Sequence, residues 1–498
     1  METPVHELIA EHALHRPDAV AVSGDRTELT FRELEADASR LAGCLGAHGV
    51  GRGDRVAVLL ERSPDSVVAQ LAVFKLGAAV VLLDPEHPAA RIGFALDECA
   101  VTAVVTRQAL LERFGTHRTV VLTDVPEWTD TVAMSPEVTG EEVSHIAFTS
   151  GSTGVPKAVL LRHRAFSNTV RVLVEQCGIE PGSRGTWLCG PGFGLVEMDF
   201  FPVLAAGGTV VIPDQLTASS PEALRDWLID RRITHTLQLT AMAERLWALP
   251  WPRDCALRSM RVAGELLRDW PPAGLPFRVL NVYGSTEANV VATCDLTGLA
   301  GGPTVPVGRP VPNVRAYVLD GSMAVVGPGV VGELYVSGAG LSQGYLNRAD
   351  ATAATFLPNP ITDDPHPVLY RTGDHARRWP DGTIEVVGRA DDEVKIMGHR
   401  VYPGEVESVL AAQPGVRRCA VIAREDGDGG RRLVAYVEPE PANPPHTTAL
   451  RAVLARALPA FMLPSAWIVT ELPTTSGGKI DRRGLPEEDT CRSPESTM

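Results

Sequence analysis

The 498-residue sequence contains no apolar run approaching eighteen residues, so no transmembrane helix is written into it. It opens on Met1-Glu-Thr-Pro-Val-His-Glu, without the basic stretch and following apolar stretch of an export signal. Long basic runs are missing too: 46 basic side chains stand against 61 acidic ones, and the formal charge of −15 argues against a nucleic-acid partner and against an anionic membrane surface. There is no Cys-x-x-Cys pair. The eight cysteines (Cys44, Cys99, Cys177, Cys189, Cys255, Cys294, Cys419 and Cys491) are scattered, with no metal-ligand spacing to the thirteen histidines. They read as reduced thiols filling the interior of a cytoplasmic protein. Internal repeats are absent as well. With these classes set aside, chemistry on a small molecule is favoured, in a chain longer than one hydrophobic core usually organises and therefore of two or more domains.

Against that background one stretch stands out, Phe148-Thr-Ser-Gly-Ser-Thr-Gly-Val-Pro-Lys157, with two glycines, four hydroxyl side chains and a lysine in ten residues. It follows the apolar run Ile146-Ala147-Phe148 and precedes a run from Ala158 whose pattern predicts a helix. Small residues let successive backbone N–H groups converge on an anion, and hydroxyls and a lysine add donors and charge. The spacing Gly151-x-x-Gly154-x-x-Lys157 is not that of the nucleotide-binding P-loop, and a flexible Gly/Ser turn fits the same string.

The flanking sequence alternates strand-like and helix-like runs. Arg55–Glu61 reads as a buried strand, and Ser63-Pro64 as an N-cap followed by a first-turn proline. Val67, Val68, Leu71 and Phe74 form an apolar face, and Gly77 is the stop. Strands are predicted at Ala79–Leu83, Ala103–Val105, Val120–Leu122, Thr209–Ile212, Thr234–Leu239 and Phe277–Tyr283, and a helix at Pro221–Ile229. This is the rhythm of an α/β fold with doubly wound, mostly parallel sheets, in which ligands sit beyond the carboxyl ends of strands. The Phe148 loop and Tyr283–Glu287 occupy such ends and are expected to face one crevice. Beyond about residue 300 the chain becomes β-rich and turn-rich. A small α+β unit follows, with a helix near Pro403–Ala412, strands around Ala420–Ile422 and Leu433–Val437, a helix near Thr448–Ala457, a surface loop at Glu438–Pro445 and a disordered tail after Pro486.

Five motifs in order resemble those of the adenylate-forming superfamily, and within it the amino-acid-activating adenylation domains of nonribosomal peptide synthesis. They are Phe148–Lys157, Asn281-Val-Tyr-Gly-Ser-Thr-Glu287, Tyr370-Arg-Thr-Gly-Asp374, Gly388–Arg400 and Ser476-Gly-Gly-Lys-Ile-Asp-Arg482. The resemblance covers nearly the whole chain and implies ATP and Mg²⁺ as cofactors. A substrate carboxylate attacks the α-phosphorus and pyrophosphate leaves, a reaction that needs positioning and charge stabilisation rather than a protein nucleophile. The resemblance assigns Thr149, Ser150, Gly151, Ser152, Thr153, Gly154 and Lys157 to pyrophosphate. Tyr283 would stack on adenine, with Gly284 beside it in the motif, and Asn281 and the Gly264 backbone would meet the base's edge. Thr286 would touch the α-phosphate, Glu287 would hold Mg²⁺, Asp374 would accept from the ribose hydroxyls with Arg389 close by, and Lys479 would bridge carboxylate and phosphate. Read singly, Asp374 fits a turn, Tyr283 a core aromatic and Lys479 a solvated charge.

The hinge motif implies a large core domain over residues 1–390 and a small mobile domain over 391–498 that swings about Asp391. Arg400, Tyr402 and Gly404 would then line the path of a phosphopantetheine thiol. The substrate pocket departs from the family: where amino-acid-activating relatives carry an aspartate for the substrate's α-ammonium, this chain has Gly194. Its other matching positions are Leu195, Met198, Leu237, Arg261, Ala263, Val282, Val290 and Val291, with Glu197 nearby. Arg261 is either a bidentate partner for an anionic group of the substrate or an arginine open to solvent or paired with Glu197 or Glu265. The expected substrate is a small carboxylic acid without a conventionally bound α-amino group, followed by an amino acid whose ammonium meets Glu197. The chain is expected to be a free-standing enzyme or one excised from a larger chain, with a holo carrier protein arriving in trans as the expected acceptor, and a small helper protein is a further partner that the resemblance allows. The alternatives are an acyl-CoA ligase, for which Arg417-Arg418 and Arg431-Arg432 offer basic side chains, and a non-catalytic adenylate-binding module.

Overall fold

The computed structural model describes residues 3–25, 27–114, 119–124, 137–150, 155–267, 269–299, 301–302, 304–389, 393–425, 430–440, 444–473, 480 and 482–487. The chain divides into two compact units. One comprises Met1–Pro85, Phe94–Phe148 and Lys157–Ala390; the other comprises Glu86–Gly93, Thr149–Pro156 and Asp391–Met498.

The first unit holds three sheets. A six-stranded sheet runs in the spatial order Thr119–Leu122, Ala103–Thr106, Arg55–Leu59, Ala79–Leu83, Val143–Thr149 and Lys157–Arg162. Its strands from Thr119–Leu122 through Val143–Thr149 pair in parallel. Ala79–Leu83 is buried at every position, which is why it reads as an unbroken apolar run: a parallel sheet is covered on both faces. The crossover helix Pro64–Lys75 starts as its sequence demands, with the Ser66 N–H donating to Ser63 Oγ at 3.3 Å and proline in the first turn. Burial of that helix extends beyond the single face that its pattern suggests.

The segment after the glycine-rich stretch differs from expectation. Lys157–Arg162 is a strand, and the helix begins only at His163, running to Cys177. The strand is paired on both sides: it neighbours Val143–Thr149 in the six-stranded sheet, and Gln343 N donates to Leu160 O at 2.8 Å, Leu160 N to Gly344 O at 3.0 Å and Leu346 N to Ala158 O at 2.8 Å. Pairing on both sides outweighs the local helix preference of this apolar run.

A nine-stranded sheet has the order Arg309–Pro310, Asn289–Asp295, Arg278–Ser285, Ser259–Ala263, His235–Leu239, Arg184–Thr186, Thr209–Val211, Val20–Ser23 and Glu28–Thr30. Its centre is parallel and its edges antiparallel. The third sheet is antiparallel and contains Val314–Leu319, Gly332–Gly338, Val368–Arg378, Phe356–Pro358 and Ile384–Arg389. One continuous core joins side chains from all three sheets, among them Val80, Val282 and Val336. Among the described residues no helix is long and apolar enough to cross a membrane.

The second unit is α+β. Val416–Glu425 and Arg431–Pro439 pair antiparallel, Ala466–Val469 joins in parallel, and the hairpin Val394–Ile396 with His399–Val401 lies apart. The helices Pro403–Ala411 and Thr447–Ala457 bury Val406, Leu410, Leu450 and Leu454 in a core with Val421, Leu433 and Val437. Glu438, expected in a surface loop, is instead buried within a strand and accepts from Arg418 Nε at 3.0 Å and Leu472 N at 2.9 Å. The expected disordered tail lies, from residue 488 onward, outside the described residues.

Candidate active site

The strand Arg278–Ser285 and the turn into Asn289–Asp295 carry the densest set of expected site residues. Gly284 is required by geometry, because a Cβ there would lie 1.9 Å from Asn289 O, at the register shift between Tyr283 and Gly284. Gly264, which follows the strand Ser259–Ala263, has φ of 107°, a conformation that disfavours any side chain. These two tight spots let backbone approach whatever the strand ends hold.

Tyr283 is buried and its hydroxyl donates to Asp374 Oδ2. Burial first, and the Asp374 charge second, hold the Tyr283 phenol well above its ordinary value, so it remains the donor. Arg389 Nη1 donates to the other oxygen, Asp374 Oδ1, at 2.7 Å, from the position directly across the antiparallel ladder. Thr372 fixes the approach: its hydroxyl accepts from Asp374 N at 3.0 Å and donates to Leu334 O at 2.8 Å. An ionised carboxylate has about four lone-pair sites, so these two donors leave capacity for a ribose diol. Asn281 donates through Nδ2 to Pro306 O at 2.9 Å and so presents its carbonyl oxygen as an acceptor, the polarity that an adenine amino group requires.

On the other side of the same turn Glu287 is buried, with Oε1 accepting from the Tyr345 hydroxyl at 2.9 Å. The Tyr345 ring in turn lies under the Lys157 ammonium, 4.6 Å from ring centroid to Nζ. A single carboxylate is the kind of ligand that Mg²⁺ uses when it also binds substrate phosphates, and Glu287 fits that role. Among the described residues no cluster of three or more His, Cys, Asp or Glu forms a self-sufficient metal cage. Tyr345 belongs to none of the sequence motifs, although it is one of only seven tyrosines and directly follows a glycine, Gly344, whose φ of 110° marks a tight turn.

Most of the pocket positions are buried. Met198, Leu237, Ala263, Val282, Val290 and Val291 belong to a single buried cluster, with Leu195 packed against it. Gly194 abuts Thr286: a Cβ built on it would lie 3.1 Å from Thr286 Oγ1 and 3.6 Å from Ala147 Cβ. Arg261 is not the arginine open to solvent that one reading expects. It is fully buried, with Nη1 donating to Met198 O and Nη2 to Asp199 O at 3.0 Å. Two of its five N–H donors thus hold the chain just after Gly194, while Nε is buried with no partner among the described residues. Asp199, whose carbonyl Arg261 holds, accepts through its carboxylate from Leu188 N at 2.7 Å and Cys189 N at 2.8 Å, while burial pushes that carboxyl up.

In the second unit Thr149 is buried, and Ser150 donates to Arg400 O. Arg400 donates to Glu393, and to Tyr402 Oη at 3.1 Å, and Gly404 O accepts from Ser408 Oγ at 2.7 Å in the helix that follows. Gly151, Ser152, Thr153, Gly154, Asp391 and Lys479 lie outside the described residues, as does the Glu197 side chain.

A doubly wound unit whose strand ends present a buried carboxylate with an arginine, an aromatic and a second, metal-suited carboxylate defines an adenylate-forming enzyme. Residues 9–346 match the family described as AMP-binding enzyme, and residues 405–479 match the AMP-binding enzyme C-terminal domain; the chain belongs to this family of acid-activating, adenylate-forming ligases. Among its relatives, a linear gramicidin synthase of Brevibacillus parabrevis is 39% identical over 98% of this chain and 10% of its own length. Novobiocin biosynthesis protein H of Streptomyces niveus is 37% identical over 98% of this chain and 83% of that protein. The chain thus spans a tenth or less of the linear gramicidin synthases that it matches, with coverage of 10%, 6% and 10%. In fold it is similar to NpsA-ThdA, an artificially fused adenylation-PCP di-domain from Klebsiella oxytoca, with a TM-score of 0.82, 24% identity and 94% of each chain covered.

Proposed function

We propose that this protein activates a small carboxylic acid lacking a conventionally bound α-amino group and passes it to the phosphopantetheine thiol of a carrier protein, in secondary-metabolite biosynthesis. The observation that carries the substrate class is Gly194, which has no side chain to pair with an ammonium and packs against Thr286 and Ala147. An α-ammonium buried at that position would meet no carboxylate from residue 194, and burying an unpaired charge costs several kcal/mol. The relatives' roles in gramicidin and novobiocin biosynthesis and the adenylation-PCP neighbour support the carrier.

In the first half-reaction a carboxylate oxygen of the acid forms a bond to the α-phosphorus of ATP, and the bond from that phosphorus to the bridging oxygen breaks, so that pyrophosphate leaves. Asp374 and Asn281 hold the ribose and base and Tyr283 stacks on the base. Lys157 and the Thr149–Gly154 stretch draw charge from the leaving group, Thr286 contacts the α-phosphate, and Lys479 spans carboxylate and phosphate. Glu287 would hold Mg²⁺, which would neutralise charge on the phosphates. In the second half-reaction the small domain over 391–498 turns about Asp391, and the thiol reaches the carbonyl past Arg400, Tyr402 and Gly404. Sulfur bonds to the acyl carbon, the thiol proton passes to water and AMP departs.

For an acyl-CoA ligase, basic side chains must be available for the nucleotide end of CoA. Arg417 and Arg418 both pair with Glu438, Arg417 at 3.2 Å, whereas Arg432 donates to the Ser465 hydroxyl at 3.2 Å, so the choice between CoA and a carrier rests on the assay. The test is ATP–pyrophosphate exchange over a panel of keto, hydroxy, aryl and amino acids, followed by thioester formation on CoA and on a holo carrier protein. Exchange only with ordinary α-amino acids overturns the substrate class, and faster transfer to CoA than to any carrier overturns the acceptor.

A further inference from the structure

Tyr345 sits where two of the assigned groups meet. Its hydroxyl lies 2.9 Å from Glu287 Oε1 and its ring centroid 4.6 Å from Lys157 Nζ, and the residue is buried. An ionised carboxylate only accepts, so the phenol donates and takes up a lone pair of Oε1, which fixes how the carboxylate is turned. The face of the ring presents negative potential to the ammonium above it.

The backbone leaves Tyr345 little freedom. It forms an isolated antiparallel bridge with Val159, two residues beyond Lys157 on the same strand. Tyr345 N donates to Thr352 Oγ1 at 3.0 Å, and the ring meets Phe356 edge-on with centroids 6.0 Å apart. Ser342 N donates to Glu287 O at 2.8 Å, so the segment leading to Tyr345 also holds the main chain of the carboxylate residue. One short segment is thus bonded both to the strand that begins with the lysine and to the turn that carries the carboxylate.

We propose that Tyr345 is a positioning residue that sets Glu287 and Lys157 relative to one another, so that the metal carboxylate and the pyrophosphate lysine act on the same triphosphate from a fixed separation. This rests on the reading of Glu287 as the metal carboxylate and Lys157 as a phosphate ligand. A core aromatic that merely fills space would do its work through the ring alone, whereas a positioning residue also needs the hydroxyl.

Three variants separate these roles: Tyr345→Phe, Tyr345→Leu and Glu287→Gln. Mn²⁺ binding is read by electron paramagnetic resonance with a non-hydrolysable ATP analogue present, and analogue binding without metal by calorimetry. Loss of one hydrogen bond to a charged group predicts that Tyr345→Phe weakens Mn²⁺ binding about tenfold while metal-free analogue affinity stays at the wild-type value. Loss of the ring predicts that Tyr345→Leu weakens metal-free analogue binding by a further factor of about three. Wild-type Mn²⁺ affinity in Tyr345→Phe, with Glu287→Gln impaired, sinks the positioning role and leaves the metal carboxylate standing. Wild-type Mn²⁺ affinity in Glu287→Gln removes the reading of Glu287 as a metal ligand, and this proposal with it.

Discussion

A Cβ on Gly194 would stand 3.1 Å from Thr286 Oγ1 and 3.3 Å from Thr286 Cγ2, so the residue at the ammonium position of the family and the residue assigned to the α-phosphate share one wall. The first carbon of any side chain at 194 must displace Thr286 by a few tenths of an ångström. On the roles proposed for the two residues, a change at one is felt at the other.

Gly194→Ala is expected to lower kcat for adenylation of the preferred acid by about threefold to tenfold, because misplacements well under 1 Å at reacting atoms cost less than the roughly 10²-fold of a full ångström. KM for ATP should stay within about twofold, since the adenine and ribose ligands are untouched. Gly194→Asp should depress exchange with that acid further, yet raise the ratio of exchange with the matching α-amino acid to exchange with its des-amino form. Pyrophosphate exchange on the matched pair reads the ratio, and an unchanged ratio argues against position 194 as the ammonium locus.

Asp374→Asn keeps the shape of the side chain and replaces one carboxylate oxygen by a donor. That group would face the Tyr283 hydroxyl or the Arg389 guanidinium, whose nitrogens only donate. Hydrogen bonds to a charged group contribute about 1.5–3 kcal/mol, so KM for ATP should rise by about one to two orders of magnitude. The melting temperature should fall as well, because one partner of a largely buried pair loses its charge. Steady-state kinetics with saturating acid, together with thermal denaturation, check both. A drop in melting temperature with an unchanged ATP KM would reduce Asp374 to a structural role.

Much of the architecture is legible in the chain because its parallel strands are continuous apolar runs bounded by glycine, proline and caps, as in Ser63-Pro64 ahead of a helix and Ala79–Leu83 behind it. Lys157–Arg162 is not, because it is held as a strand by its neighbour Val143–Thr149 in the sheet and by residues 343–346, the latter outside any local window. The same pairing hides Tyr345: only when the two segments lie together does a tyrosine with no motif of its own reach both Lys157 and Glu287. Arg261 is legible only in part. Its charge suggests a ligand, but its position on a central strand puts the guanidinium among main-chain carbonyls that need donors. Composition holds one further signal. The chain has four lysines, Lys75, Lys157, Lys395 and Lys479, and two of them are the lysines of the phosphate and closing motifs, so lysine scarcity by itself draws attention to both.

Arg261→Met separates an arginine that holds the chain from one that also reads the substrate. Methionine refills most of the volume but leaves the Met198 and Asp199 carbonyls without their donors, at about 1–3 kcal/mol for each group stranded in the interior. The segment carrying Gly194, Leu195 and Met198 should loosen, so KM for the acid should rise about tenfold or more while the ranking of acids in an exchange panel stays the same. A ranking that shifts towards acids without a second anionic group would show instead that Arg261 reads the substrate.

The buried histidines set the acid limit of the fold. Burial first, and the Lys75 charge second, lower His6 from 6.5 to about 3, burial lowers His235 to about 3 and burial holds His163 well below its ordinary value. His6 and His163 pack edge-on at 5.7 Å, and both His163 ring nitrogens are buried without a hydrogen-bond partner. Each group is neutral when folded and binds a proton when unfolded, so its contribution is fully present above pH 6.5 and is lost as pH falls from there towards 3. A histidine of this kind steepens the pH dependence by about 1.4 kcal/mol per pH unit within that window. Between pH 6.5 and 5.5 the wild type should therefore lose about 1 kcal/mol more denaturation free energy than His6→Leu, which has no proton to take up at this site. Urea titrations at the two pH values read the difference, and parallel losses in the two proteins would mean that His6 is not held neutral in the folded chain.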